Sequence, residues 1–345
     1  MAIRFMEAHC CTPVLGNCAG LVSPTAEEVA MTIANFVAVR EQAREELRKI
    51  PYGRDETSAS RWISLGMRQV AEEKHVLAAR LRTPTRDAAL EARVREILTK
   101  LTDTADVDVR HTGPVFAIPL ADSGEEDEIL RIGSSIARIN ERGGTLGFFA
   151  VDRETGAKGF VSANHVLAGQ DLVRPGTRIV HPAGSNNVIG EFVRAVPLAV
   201  RGQQRVDCAF AKLTIDAFDP ATLPGGGSVK RAVGSVAHQT AVMKFGAASR
   251  KTTGIVTEPD QDAFEIHYRF GVGLVKFDDQ IEIESDNSAH FAIGGDSGSL
   301  VVDGDLRPVG LLFSIAMAGG SRGNGLAYAN PIEQVLERLG VDLLV

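Results

Sequence analysis

Ile293-Gly294-Gly295-Asp296-Ser297-Gly298-Ser299, followed at once by Leu300-Val301-Val302, is the stretch around which this chain is organised. Glycine tolerates positive φ and lets a ligand approach the backbone closely. A serine held in such a turn presents its hydroxyl outward, and adjacent backbone N–H groups are free to face a developing oxyanion. A glycine-rich turn before a strand is by itself only a turn, so its meaning depends on what lies upstream.

A serine hydroxyl is a weak nucleophile that needs a base within hydrogen-bond reach, and the base needs a third group to orient it. Of eight histidines, His165 stands out: it ends the extended stretch Lys158-Gly159-Phe160-Val161-Ser162-Ala163-Asn164 and opens the apolar turn Val166-Leu167-Ala168. Between it and Ser297 lies Arg205-Val206-Asp207-Cys208-Ala209-Phe210-Ala211, in which one aspartate leads a hydrophobic strand. The chain order is therefore His, Asp, Ser, with the first two 42 positions apart and the last two 90 positions apart.

On these residues the chain resembles the chymotrypsin-like (trypsin-type) serine peptidases. Ser162-Ala163-Asn164-His165-Val166 is similar to their histidine motif, Asp207-Cys208-Ala209 to their aspartate motif, and Gly295-Asp296-Ser297-Gly298 to their serine motif. The resemblance covers roughly residues 130–345. Within that superfamily it is nearest to the intracellular bacterial and plant branch that includes the narrow-leaf type proteins, where the histidine motif reads Asn-His-Val. The disulfide cysteines of secreted trypsins are missing beside both motifs. The resemblance implies a double β-barrel followed by a C-terminal helix, with His165, Asp207 and Ser297 as a triad and the N–H groups of Gly295 and Ser297 as oxyanion donors. It further implies a primary substrate pocket walled by Phe291, Ala292, Phe313, Ser314 and Ile315, without an aspartate at its base. Such a pocket selects an uncharged residue, because burying an unpaired cation is costly.

The chain of 345 residues suggests two domains. Hydrophobic residues at 44% and charged residues at 23% describe an ordinary globular protein. A net charge of −7 and the lack of a basic block interleaved with aromatics give no reason to expect nucleic acid. The four cysteines, three of them at Cys10, Cys11 and Cys18, make no disulfide framework for a chain of this size. Met1 to Val22 is interrupted by Glu7, His9 and Asn17 and lacks a signal-peptide core, and no apolar run is long enough for a bilayer. A cytoplasmic location is expected, with no membrane partner, no metal and no cofactor. Ala8-His9-Cys10 spells a trypsin histidine motif but has no barrel strands before it.

Three domain segments follow. Residues 1–112 read as an N-terminal helical domain for regulation or interaction. Its helices run from a capping-box start at Thr25 and Glu28 to Ile50, from Ser58 to Leu81, and from Asp87 to Leu101. Residues 113–130 read as a strand and an acidic linker, with the acidic run at 121–128. Residues 131–345 read as the peptidase domain: short β-rich runs alternate with Gly, Pro, Asn and Asp punctuation. A Pro- and Gly-rich connector at Ala217–Val229 divides it into two barrels, and Pro331 to Leu339 forms a closing amphipathic helix.

Two details have competing readings. Arg131-Ile132-Gly133 is similar to the activation site of secreted trypsins, where a freed N-terminus pairs with the acid before the serine, here Asp296. In the intracellular branch the same stretch is simply the first barrel strand, and this is the expectation. The acids Asp278, Asp279, Glu282, Glu284 and Asp286 lack an EF-hand pattern, and the alternation with Ile281 and Ile283 predicts a strand with a solvated acidic face. The fold class expected is mainly β, a chymotrypsin-like double barrel with an N-terminal helical domain and a C-terminal helix. The function expected is a serine endopeptidase acting on protein or peptide substrates. The alternative is a latent or inactive peptidase-fold binding module, recruited through the helices. A regulatory partner on the helices and a homo-oligomer stay open.

Overall fold

The computed structural model describes residues 26–53, 57–71, 74–102, 106–117, 129–200, 202, 204–231, 233–262, 264–268 and 272–345. Ala8-His9-Cys10, the Met1–Val22 stretch and the acidic run at 121–128 lie outside them.

The N-terminal region begins with helix α1 (Ala26–Arg48). The helix expected from Ser58 to Leu81 is instead a β-hairpin of strands β1 (Ile63–Ala71) and β2 (Lys74–Leu81). Ile63 and Leu65 face the core under the helices, while Gly66 lies against Gln261 and Glu258 of the second barrel, so successive residues point to opposite sides and both sides are covered. Helix α2 (Ala88–Thr102) starts on Asp87, whose Oδ1 accepts the N–H groups of Ala89 and Leu90, both at 3.0 Å; such a side-chain cap satisfies donors the helix leaves orphaned. Strand β3 (Asp108–His111) then pairs parallel to β2. In place of a three-helix bundle, two helices cover a three-stranded sheet, and Leu47, Leu65, Leu77, Leu81, Val94 and Leu98 share its core. Beyond it comes the short strand β4 (Val115–Ala117).

The first barrel is a curled sheet. Its strands are β5 (Ser135–Arg138), β6 (Phe148–Asp152), β7 (Lys158–Ser162), β8 (Arg178–Val180), β9 (Val188–Ala195) and β10 (Ala209–Leu213), with one helical turn, α3 (Asn164–Leu167), after β7. Side by side they run β6, β7, β10, β9, β8, β5. Phe148, Phe160, Val161, Ile179 and Phe210 fill the interior.

The second barrel comprises β11 (Ala241–Gly246), β12 (Arg250–Gln261), β15 (Gln280–Ser285), β16 (Leu300–Asp303), β17 (Pro308–Ala316) and β18 (Leu326–Pro331); a hairpin of β13 (Phe264–Tyr268) and β14 (Gly273–Phe277) is inserted after β12. The order is β16, β11, β12, β15, β18, β17, and pairing of β16 with β17 closes the ring. Closure removes the open edges on which sheets otherwise aggregate. Helix α4 (Ile332–Leu339) buries Ile332, Val335 and Leu339 and ends on Gly340 at φ 65°. Strand β19 (Val341–Leu343) returns to pair with β6 of the first barrel. The architecture is the chymotrypsin-like double β-barrel.

The acidic face of β15 differs from its expectation. Glu282 and Glu284 are buried, 0% and 3% exposed: the β1–β2 hairpin lies over Glu282, while Glu284 accepts from the Ser321 N–H at 2.6 Å and faces Arg110 of β3 at 3.6 Å. Arg80 of β2, itself fully buried, donates to Glu282 from Nε at 3.1 Å and to Glu258 from Nη2 at 3.1 Å. A two-way backbone bridge between Leu65 and Asp262 adds to the contact. A strand whose acids are neutralised by a partner domain carries the same sequence pattern as a solvated one. The arginine that decides between them lies about 200 residues away in the chain, as the Arg80–Glu282 separation of 202 records.

Candidate active site

β7 ends at Ser162, and the α3 turn that follows sets His165 between the barrels. Asp207 leads into β10, completely buried. Its backbone N–H donates to Asn330 Oδ1 at 2.9 Å, and Asn330 Nδ2 donates to Gln280 Oε1 at 2.6 Å. The second barrel therefore fixes an acid that belongs to the first.

His165 Nδ1 lies 2.8 Å from Asp207 Oδ2. A carboxylate accepts only, so it selects the tautomer with hydrogen on Nδ1 and leaves the Nε2 lone pair free. Nε2 is hydrogen-bonded to Ser297 Oγ, which donates. The His165 N–H adds a 3.3 Å bond to Asp207 Oδ1. A third group, unforeseen in the sequence, completes the carboxylate's shell: Tyr268 of β13 donates its hydroxyl hydrogen to Asp207 Oδ2. Burial, reinforced by Asp207, pushes the Tyr268 phenol well above its ordinary pKa, so it stays a donor. No local signal marked Tyr268, because it reaches the site from an insertion in the other barrel.

The serine loop is clamped from both sides. Thr145 donates its N–H to Ser297 O at 2.8 Å and its Oγ1 hydrogen to Gly295 O at 2.9 Å. Gly298 donates to Leu312 O at 2.8 Å. Gly298 has φ 89°, and a Cβ there would lie 2.1 Å from Ser162 Oγ, so no other residue fits. Gly295 also has a positive φ, 95°. Among the described residues neither the Gly295 nor the Ser297 N–H donates to a backbone carbonyl.

Asp296, whose partner the sequence does not reveal, is buried against Lys244 of β11, with Nζ 2.9 Å from Oδ2. Ser249 donates from Oγ at 2.6 Å and from its N–H at 2.9 Å, and the Ile293 N–H donates at 2.9 Å. Burial lowers the Lys244 pKa from the usual lysine range, and Asp296 opposes that shift. Gly246 makes room for the pair: a Cβ there would lie 2.2 Å from Asp296 Oδ1.

Of the five residues assigned to the pocket wall, Phe291, Ala292 and Ile315 pack in one cluster with Val301 and Leu312. Phe313 does not join them. A register shift between Leu312 and Ser314 re-aims the strand, and the Phe313 ring packs on Phe277, centroids 4.9 Å apart. Ser314 is fully buried, with Oγ lacking a hydrogen-bond partner. His290, His181 and His238 each bond a backbone carbonyl through Nδ1, those of Asn324, Ser135 and Thr257, away from the Ser297–His165–Asp207 chain.

Comparison with solved structures finds Thermobifida fusca protease A at 20% identity and a TM-score of 0.45, covering 63% of this chain and 99% of that one. Nocardiopsis protease matches at 19% identity and 0.44, over 62% of this chain and 100% of that one. Cellulomonas bogoriensis chymotrypsin matches at 20% identity and 0.44, over 62% and 98%. No protein-family model matches the chain, and comparison with curated proteins gives no match. Among the described residues no helix is long and apolar enough to cross a membrane.

Proposed function

We propose that the chain is a serine endopeptidase of the intracellular trypsin-like branch, with Ser297 as nucleophile, His165 as general base and acid, and Asp207 as the orienting carboxylate. The observation that carries the reading is the unbroken hydrogen-bond chain from Asp207 Oδ2 through the imidazole to Ser297 Oγ. Oγ attacks the peptide carbonyl carbon as Nε2 takes its proton, and Asp207 stabilises the imidazolium that results. The tetrahedral oxyanion accepts from the Gly295 and Ser297 N–H groups, each such donor being worth about 2.7–4 kcal/mol. The C–N bond then breaks as Nε2 returns the proton to the leaving amine. Water repeats the sequence on the acyl-enzyme.

Lys244 supports the further reading that the uncut chain is competent. It supplies the cation that secreted trypsins obtain from a freed N-terminus. Phe291, Ala292 and Ile315 support a preference for an uncharged residue before the scissile bond, and the buried free thiol of Cys208 suits a reducing, cytoplasmic setting. The second reading, a latent form of the same site, is favoured by one observation: Ser297 has no exposed surface. Labelling with a fluorophosphonate tests the assignment. Wild type is expected to label at one site, and Ser297→Ala and His165→Ala to lose labelling while keeping their melting transitions. Full labelling of Ser297→Ala would remove Ser297 as nucleophile.

A further inference from the structure

Strand β17 is paired along one side, from Gly310 to Ala316, by β18. Its other edge is shared between two segments. β16 takes the first part, with Val302 opposite Pro308, Val301 opposite Gly310 and Leu300 opposite Leu311. The Gly298 N–H takes the next step, on Leu312 O. There the chain turns off through Ser297, and β17 continues as Ser314, Ile315 and Ala316. These three are paired by β4, antiparallel, with Ala117 opposite Ser314, Phe116 opposite Ile315 and Val115 opposite Ala316. β4 thus lies on the same edge as β16 and runs in the same direction, toward Ser297, with Ala117 as its nearest residue.

An extended peptide that brings a carbonyl to Ser297 has this edge to add to, because the N–H and C=O groups of a strand edge recruit another strand. We infer that β4 is a built-in substrate mimic: it occupies the edge on which a peptide substrate docks, restrains turnover, and displays the side-chain pattern the edge selects. The inference rests on the peptidase reading above. Val115 is buried among Ile266, Tyr268 and Phe313, Phe116 is 44% exposed, and Ala117 is half-buried. The edge therefore takes an aliphatic side chain opposite Ala316, ignores the one opposite Ile315, and takes a small one opposite Ser314. β4 is built to leave. It has three residues and, among the described residues, a hydrogen-bonded strand on one side, and it borders a cavity of about 540 Å³ lined by Val115, Phe116, Trp62, Pro114 and Leu274.

Two probes on the full-length chain separate the mimic from the triad. A fluorophosphonate needs only the nucleophile and the oxyanion donors, whereas Val-Phe-Ala-p-nitroanilide also needs the edge. Val115→Asp forces a carboxylate among apolar side chains and expels β4. If β4 holds the edge in about nine molecules of ten, kcat/KM for the anilide rises about ten-fold while labelling stays within about two-fold. Val115→Cys with Ala316→Cys, in a chain carrying serine at positions 10, 11 and 18, locks β4 down. Oxidised, it is expected to lose anilide turnover and to regain it with reductant, with equal labelling in both forms. Anilide turnover unchanged in Val115→Asp and insensitive to oxidation in the locked pair, with labelling intact, overturns the mimic. No labelling of wild type overturns the peptidase reading itself.

Discussion

Tyr268 and Lys244 show how much of the setting of Ser297, the nucleophile proposed above, is delegated to single residues outside the Asp207–His165–Ser297 chain. Tyr268 donates to the same Asp207 Oδ2 that His165 Nδ1 faces, and a hydrogen bond to a buried charge is worth about 1.5–3 kcal/mol. Tyr268→Phe is therefore expected to slow phosphonylation of Ser297 by about ten-fold, equivalent to ~1.4 kcal/mol. A purely structural role would lower the melting temperature along with the labelling rate, whereas loss of this one hydrogen bond should slow labelling in a protein that melts as wild type does. Lys244 makes a different prediction. With its pKa lowered by burial, it loses its proton below the ordinary lysine value of ~10.4. The Asp296 carboxylate then loses its counter-charge, and labelling should fall in that alkaline window. Global stability does not fall with it on this group's account. Between the lowered folded pKa and the ordinary one the unfolded chain binds the proton better, so this group's contribution to stability rises with pH. Alkaline loss of labelling in a still-folded protein is the signature, and loss only together with unfolding would exclude it.

At the scale of elements, the β1–β2 hairpin is the least expected part and the most consequential for stability. Arg80 gathers Glu282, Glu258 and Asp108 around one buried guanidinium. Burial works against its charge, but the three acids outweigh that and hold its pKa well above the ordinary value. Burial, opposed by Arg80, keeps the Glu258 carboxyl well above the usual range. Removing one member of such a cluster leaves the others buried and uncompensated, at about 3–5 kcal/mol. Arg80→Ala is expected to lose that amount in denaturant unfolding and to make the β1–β2 hairpin the first site of limited proteolysis. Undiminished stability would show that the hairpin is held by apolar packing alone. The hairpin also explains where sequence reading stops. The serine loop was legible because glycines and an apolar strand lie within a few residues of Ser297. His165 was legible from the strand end that delivers it. Residues 58–81 are rich in helix formers, and only pairing of β2 on both sides, to β1 and to β3, makes them extended; tertiary context overrides weak propensity. Tyr268, Lys244 and Arg80 were illegible for the same reason, since each acts on a residue 50 or more positions away.

In the whole molecule, the first-barrel core and the Lys244–Asp296 pair bear on whether the proposed peptidase needs cutting. A trypsin-type activation at Arg131 would free Ile132 to reach Asp296. Ile132 is completely buried in the first-barrel core, the adjoining Gly133 donates to Leu146 O at 2.9 Å, and the Arg131 N–H donates to Ser134 Oγ at 3.0 Å. Releasing that segment would strip apolar surface from the core at about 25 cal/mol per Å². The position it would move to is already held by the Lys244 ammonium and the Ser249 hydroxyl. Cleavage would therefore cost core packing and offer Asp296 a cation it does not lack. Arg131→Ala is expected to leave the rate of Ser297 labelling unchanged, and the labelled wild type to run as a single full-length band. The measurement is mass spectrometry of the labelled protein. An N-terminus at Ile132 in the labelled fraction, together with loss of labelling in Arg131→Ala, would establish activation by cleavage and make the Lys244–Asp296 pair a feature of the inactive form.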